Sequence, residues 1–334
     1  MVKDFLGGID IGGTKIAVAI ASTDGQVVDR TSFPTDHNRS PHDLMNHALE
    51  SLKNLAKKHH GQLASIGIGC AGPLDFALGH VLTPPNMPRS WWQFPIRPFV
   101  EDRLGLPVAI ENDANAAALG EHLYGAGRGY SDLVYLTIST GIGVGIIADD
   151  KLVHRLGEGG HVTVQPGGAL CACGARGCME SLCSGTGIAR RAREQLHSGG
   201  ISKMLGMVHD IKEVTAKTVE DAAREGDGVA TEVWRETVDL LAIGIGSIIA
   251  LLSPQATILG GGVAAGAGEF LLQPLRLALQ QRVHIINMQR VAVLQAGLGS
   301  ESVIHGALAL AVGVVADGLQ KKSRLSCERV NGGY

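Results

Sequence analysis

Glu158, His161, Cys171, Cys173, Cys178 and Glu180 stand close together in the chain. Three thiols and one imidazole are the ligand types of a closed, tetrahedral Cys₃His zinc site, which is structural rather than catalytic. Gly167, Gly168, Gly174 and Gly177 lie among these residues, where tight turns would be needed to gather the ligands. Cys70, Cys183 and Cys327 stand apart and read as buried or spare thiols. Six cysteines in 334 residues are too few for a disulfide framework. Clustered as they are, they point to metal in a reducing compartment, so a cytoplasmic protein is expected. Glu158 and Glu180 flank the ligands. A closed zinc site has no use for them, and they suit the binding of hydroxyl groups beside it.

A second kind of chemistry appears in two glycine turns. Asp10-Ile11-Gly12-Gly13-Thr14-Lys15 sets a carboxylate at the end of an apolar run and two glycines in the turn after it. Glycine lets backbone N–H groups approach a phosphate closely, and Asp10 could hold Mg²⁺ directly or through water. Ser139-Thr140-Gly141-Ile142-Gly143 offers the same chemistry again. Gly260-Gly261-Gly262 follows a third apolar run and would let a nucleotide lie flat on backbone. No G-x-x-x-x-G-K-[ST] occurs, so a P-loop is excluded. One G-x-G-x-x-G occurs, at Gly67, Gly69 and Gly72, but Pro73 and a Pro-rich stretch follow it instead of a helix. It is not a dinucleotide fingerprint.

The third chemical feature is Glu111-Asn112-Asp113-Ala114-Asn115, where a strand is expected to meet a helix. Asp113 fits two readings. It is placed as an N-cap for the helix. It would also serve as a general base, because phosphoryl transfer to a hydroxyl needs a carboxylate within hydrogen-bond reach of the attacking oxygen. Asn112 would then bind a neighbouring hydroxyl.

These residues need a frame. Residues 5–20 predict strand, glycine turn, strand, and Asp24-Gly25 turns into a third strand at Val27-Val28. The pattern returns at 133–147, with Asp149-Asp150 turning into Lys151-Leu152-Val153. Helices are expected at 42–60, 114–123, over much of 184–252, and at 302–316; further strands at 64–70, 107–111, 257–259 and 291–295. Residues 72–98 are Pro-rich and expected to form an irregular loop facing a ligand. The apolar run from Leu240 to Leu252 is too short to span a bilayer and reads as a buried helix ended by Ser253-Pro254. The result is an α/β protein of two related lobes with a cleft between them. A formal net charge of −3 without a basic block leaves no electrostatic footprint for nucleic acid or a membrane surface. The N-terminus lacks the order of a signal peptide.

Taken together, the motifs resemble the ROK family of bacterial sugar kinases and repressors, within the actin-like, hexokinase and heat-shock ATPase superfamily. DIGGTK at 10–15, ENDANAAALGE at 111–121, STGIG at 139–143, EGGH at 158–161, CACGARGCME at 171–180 and LGGGV at 259–263 occur in the family's order, and ENDANAAALGE is most like its glucokinase branch. The resemblance implies two actin-like (ribonuclease H-like) lobes. A small one is expected from 1–115 with the closing helix of 305–334, and a large one from 116–304 with zinc ligands in 161–178. It implies Asp113 as catalytic base, and a sugar site lined by Gly72, Asn86, Asn112, Asp113, Glu158, His161 and Glu180. His161 would also bind structural Zn²⁺ with Cys171, Cys173 and Cys178. ATP phosphates and Mg²⁺ would lie at Asp10, Gly12, Gly13, Thr14 and Lys15 and at Ser139, Thr140, Gly141 and Gly143, with adenosine near Gly260, Gly261 and Gly262. A homodimer or homotetramer is implied. The segment Pro85-Asn86-Met87-Pro88-Arg89-Ser90-Trp91-Trp92 departs from the Pro-Gly-Trp usual in that branch. The expected activity is transfer of the ATP γ-phosphoryl to the 6-hydroxyl of a hexose, glucose first. N-acetylmannosamine kinase and fructokinase are the alternatives. A sugar-responsive repressor of the same family would carry a helix-turn-helix domain ahead of the first lobe, and the turn at residue 12 leaves no room for one.

Overall fold

The computed structural model describes residues 3–84, 87–154 and 157–314. They form two compact units. One holds the described residues through Tyr124 and those from Glu301 on, and the other is Gly125–Ser300. The sequence expectation divided the chain at 115/116 and 304/305. The observed division keeps one whole helix, Asp113–Tyr124, in the first unit.

The first unit is built on five strands: β1 (Lys3–Ile11), β2 (Lys15–Ser22), β3 (Val27–Pro34), β4 (Gly61–Cys70) and β7 (Val108–Asn112), in the order β3-β2-β1-β4-β7. β2 runs antiparallel to β1 and β3, while β1, β4 and β7 are parallel. β1 is buried over most of its length, as a strand covered on both faces must be. Phe5, Ile9 and Ile11 face α1 (Pro41–Lys58) through Leu44, Met45, Ala48 and Leu52. The alternate residue Leu6 faces a helix over residues 302–314, through Ile304, Leu308 and Ala311. That helix lies so near the sheet that a Cβ on Gly67 would overlap the Ala307 carbonyl, and one on Gly69 would sit 2.6 Å from Val303. Two glycines of the rejected dinucleotide motif, Gly67 and Gly69, therefore serve helix packing. Among residues 72–98 the chain is less irregular than expected. β5 (Leu74–Asp75) pairs with β6 (His80–Val81), a 3₁₀ turn spans Arg89–Trp91, and α2 (Ile96–Leu104) begins at Ile96.

The second unit repeats the sheet. β8 (Leu133–Ile138), β9 (Ile142–Ala148), β10 (Lys151–Leu152), β11 (Ala256–Gly260) and β12 (Ala292–Gln295) take the order β10-β9-β8-β11-β12. Again the first pairs are antiparallel and the last two parallel. Its helices are α4 (Met179–Cys183), α5 (Gly185–His197), α6 (Ala216–Arg224), α7 (Gly228–Leu252), α8 (Gly261–Ala267) and α9 (Glu269–Arg282). α7 contains the apolar run read as a buried helix. It starts at an Asp227 cap and stops at Ser253, which takes left-handed backbone. Among the described residues no helix is long and apolar enough to cross a membrane.

Candidate active site

The strand register of the first unit gathers its polar residues at one sheet edge. Asp10 lies beside Gly69 and Gly69 beside Glu111, while Cys70 lies beside Asn112. The carboxyl ends of three parallel strands meet there, the usual binding edge of an open α/β sheet. Burial pushes the Asp10 carboxyl up to about 7, helped by the Asp113 charge and opposed by Lys15. Burial, with the same two carboxylates nearby, also raises the Cys70 thiol.

The helix that follows β7 is α3 (Asp113–Tyr124). Its cap is not Asp113. The Asn112 side-chain oxygen accepts from the Asn115 N–H at 2.8 Å, and Asp113 is the first helical residue. Buried Glu111 holds the junction, accepting from the Asn112 N–H at 2.9 Å and from the Asn115 side-chain amide at 3.0 Å. α3 is rich in small residues because the 302–314 helix crosses it: a Cβ on Gly306 would overlap the Ala116 carbonyl. Gly72 lies beside Asn112, where a Cβ would come within 3.9 Å of its side chain. Asn86 falls outside the described residues.

The turn from β1 to β2 is clamped from one side. The Thr35 hydroxyl donates to the Gly12 carbonyl at 2.7 Å, its N–H to the Thr14 carbonyl at 2.9 Å, and the His37 ring lies 2.8 Å from the Gly13 carbonyl. Thr14 and Lys15 are exposed.

The turn from β8 to β9 is clamped in the same manner. The Thr186 hydroxyl donates to the Thr140 carbonyl at 2.9 Å, and the Gly185 N–H to the Ser139 carbonyl at 2.7 Å. This turn opens on a cavity of about 390 Å³. The cavity brings together Ser139, Thr140 and Gly262, all singled out by sequence, although Gly260 and Gly261 are absent from its wall. Gly261 needs to be glycine: its φ is +83°, and a Cβ would lie 2.5 Å from the Ile138 carbonyl. Gly260 ends β11 beside Thr137. The wall also includes Thr186, Thr215 and Lys217, which sequence reasoning missed. Two cap signals could have pointed to them: Ser184 before Gly185-Thr186, and the Thr215–Thr218 capping box. Glu220, also in the wall, is buried and pairs with Arg224 at 2.9 Å.

The Cys/His segment forms a cluster. One ligand atom from each of His161, Cys171, Cys173 and Cys178 lies within 4.8 Å of the other three. Cys173 Sγ and Cys178 Sγ are 3.7 Å apart, and Cys171 Sγ is 3.5 Å from His161 Nδ1. Ordinary Zn–S and Zn–N lengths give tetrahedral edges of about 3.8 Å between sulfurs and about 3.6 Å between sulfur and nitrogen. The donor set and these two edges fit a closed, zinc-type ion. Gly177 makes the fold of this segment possible, with φ of +78° and the Gln165 carbonyl where a Cβ would be. Burial and the neighbouring Cys173 and Cys171 sulfurs push the Cys178 thiol up to about 12, whereas the Ala175 backbone hydrogen bond lowers Cys173. His161 Nε2 points the other way, 3.8 Å from exposed Glu158. Glu180 turns one carboxylate oxygen to the Ile142 N–H at 2.9 Å; the other is 3.9 Å from Cys171 Sγ.

Two similar five-stranded sheets, each with a clamped turn after its first strand, define an actin-like ATPase fold. The match to the ROK family model extends over residues 6–314, and the chain belongs to the ROK family. It is 37% identical to the glucokinase of Thermotoga maritima, over 83% of this chain and 87% of that one. Among solved structures it is similar to a ROK family glucokinase from Streptomyces griseus in complex with glucose and AMPPNP. The TM-score is 0.76 at 34% identity, over 92% of this chain and 99% of that one. It is also similar to the ROK hexokinase of Thermus thermophilus, with TM-score 0.81 at 32% identity, over 94% and 99%.

Proposed function

We propose that this protein is an ATP-dependent hexose kinase that phosphorylates the 6-hydroxyl of glucose. The observation that carries the reading is the sheet edge of the first unit, where the strand register sets Asp10 beside Gly69 and Gly69 beside Glu111, and α3 begins at Asp113, in a chain whose relatives include glucokinases. Asp113 is the general base. It begins α3, with Glu111 and the Asn112 cap fixing the backbone around it, and it accepts the proton of the attacking hydroxyl. Asn112, Gly72, Asn86, Glu158, His161 and Glu180 hold the other sugar hydroxyls. The turns at Gly12–Lys15 and Ser139–Gly143 face the ATP phosphates, the Gly12, Ser139 and Ile142 N–H groups being held by Lys15, Gly141 and Glu180, and the cavity beside Gly262 takes the adenosine. Asp10 holds Mg²⁺, which when bound offsets charge on the phosphates. His161, Cys171, Cys173 and Cys178 hold a zinc ion that fixes the segment presenting His161 and Glu180. The protein is taken to be a cytoplasmic homodimer or homotetramer without a nucleic-acid partner, as the family resemblance implies.

Coupled ADP release with glucose, N-acetylmannosamine, N-acetylglucosamine, mannose and fructose tests the substrate. Glucose is expected to give the highest kcat/KM. A higher value for N-acetylmannosamine or fructose assigns the alternative kinase, and no sugar-dependent ADP release rejects the reading.

A further inference from the structure

Glu180 occupies an unusual position in the second unit. It lies two residues past Cys178, and its carboxylate faces two ways. One oxygen accepts from the Ile142 N–H at 2.9 Å, at the exit of the Ser139–Gly141 turn. The other lies 3.9 Å from Cys171 Sγ in the metal cluster. The fit to the turn is close, since a Cβ on Gly141 would stand 2.5 Å from the Glu180 carboxylate. The other polar group of Ile142 is covered as well: Gly160, next to His161, packs so tightly on the Ile142 carbonyl that a Cβ would overlap it. Beyond Glu180 the same stretch continues to Gly185 and Thr186, which hold the Ser139 and Thr140 carbonyls. The metal-ligating segment thus grips the turn before, through and after its bend.

We infer that Glu180 is a positioning residue that couples the Cys₃His cluster to the phosphate turn, so that metal occupancy sets nucleotide affinity. The inference rests on the reading of 139–143 as the phosphate turn. Without the ion the segment keeps its backbone ties, the Met179 N–H to the Val162 carbonyl at 2.9 Å and the Thr163–Cys178 bridge, but nothing fixes the Cys171, Cys173 and Cys178 sulfurs on the His161 ring, and the Glu180 and Gly160 contacts on Ile142 lose that part of their common anchor. The turn then samples other conformations, and nucleotide binding must reorder it. Thermodynamic coupling of this kind is reciprocal, so bound nucleotide must tighten the metal by the same factor.

Calorimetry with Mg²⁺ and AMPPNP, without sugar, tests this on the metal-loaded protein and on chelator-treated protein. Metal removal should raise the Kd about 5-fold or more, within the usual range of such couplings. Saturating AMPPNP should slow metal loss to a chromogenic chelator. In Glu180→Ala the Kd should rise in the loaded protein and no longer respond to metal, while bound metal stays at one ion per chain. Glu180→Gln retains an oxygen for the Ile142 N–H and should keep most of the wild-type affinity. A wild-type Kd independent of metal overturns the inference, as does a Glu180→Ala protein whose Kd responds to metal like wild type. If Glu180→Ala does not fold, wild type and Glu180→Gln decide. Thr140→Asp separates the two readings. Unchanged AMPPNP affinity in that variant shows that the turn does not bind phosphate. Affinity lost in Thr140→Asp but indifferent to metal shows that only the coupling is wrong.

Discussion

The two units share one sheet order and one way of holding a turn, yet they differ in what the turn carries. Each has three residues between its first two strands, and each has a threonine hydroxyl, Thr35 or Thr186, on a turn carbonyl. Aligned on those turns, Asp10 of the first unit corresponds to Thr137 of the second, and Lys15 to Ile142. The carboxylates gather at the first sheet edge, where burial raises Asp10 to about 7. The second sheet edge has no carboxylate at that position and opens instead on a 390 Å³ cavity. Its clamp also differs. In the first unit, residues 35–37 follow directly on β3, whereas in the second the clamp sits at the end of a long excursion that includes the Cys/His cluster. On the proposed function, the repeated scaffold is divided between proton and cation chemistry on one side and nucleotide accommodation on the other.

If that division is right, the largest effect belongs to the first unit's base. Asp113→Asn should lower kcat about 10²–10⁴-fold while nucleotide affinity stays close to wild type; kcat near wild type would remove Asp113 from the mechanism. Metal removal should act on the second unit alone. Sugar affinity should fall roughly 10–100-fold, and amide exchange should quicken at 139–142 and 158–186 but not at 12–15 and 35–37. Equal loosening of both clamps would erase the distinction between them. A smaller effect, on stability, should come from Asn112. Its loss as a cap in Asn112→Ala should cost about 1 kcal/mol in urea unfolding, whereas Asp113→Ala, if it were the cap, would show that loss instead. The smallest effect is a pH slope. The ordinary carboxyl value is 3.8 and that of folded Asp10 is about 7, so the folded protein holds the proton more tightly than the unfolded chain. The stability this contributes is fully present below about pH 4 and is lost as pH rises towards 7. Asp10→Asn should flatten that part of the stability profile, and an unchanged slope would show that Asp10 is not the group responsible.

Much of this was legible in the sequence, for identifiable reasons. Alternating apolar residues around Gly12-Gly13 and around Ser139–Gly141 marked both hairpins, and ligand type and spacing marked the Cys₃His set. The two-way role of Asn112 and Asp113 was not, because an Asn-Asp pair offers two adjacent caps and only the backbone shows which one is used. Prolines hid two helices. Pro98 sits in the first turn of α2, where a missing N–H costs nothing. Pro274 lies inside α9, and the carbonyl it leaves, that of Phe270, accepts from the Trp234 indole at 3.4 Å. For Lys217 and Thr186 the sequence offered only nearby cap signals, because the cavity itself is formed where helices distant in sequence meet around the β8–β9 turn.

The central claim is a transfer of phosphate from ATP to one hydroxyl of one sugar. The most direct measurement is phosphorus NMR of the product after incubation with ATP, Mg²⁺ and glucose. Glucose 6-phosphate formed in equal amount to ADP is the result predicted. ADP and free phosphate without a sugar ester, or an ester at another carbon of glucose, would contradict it.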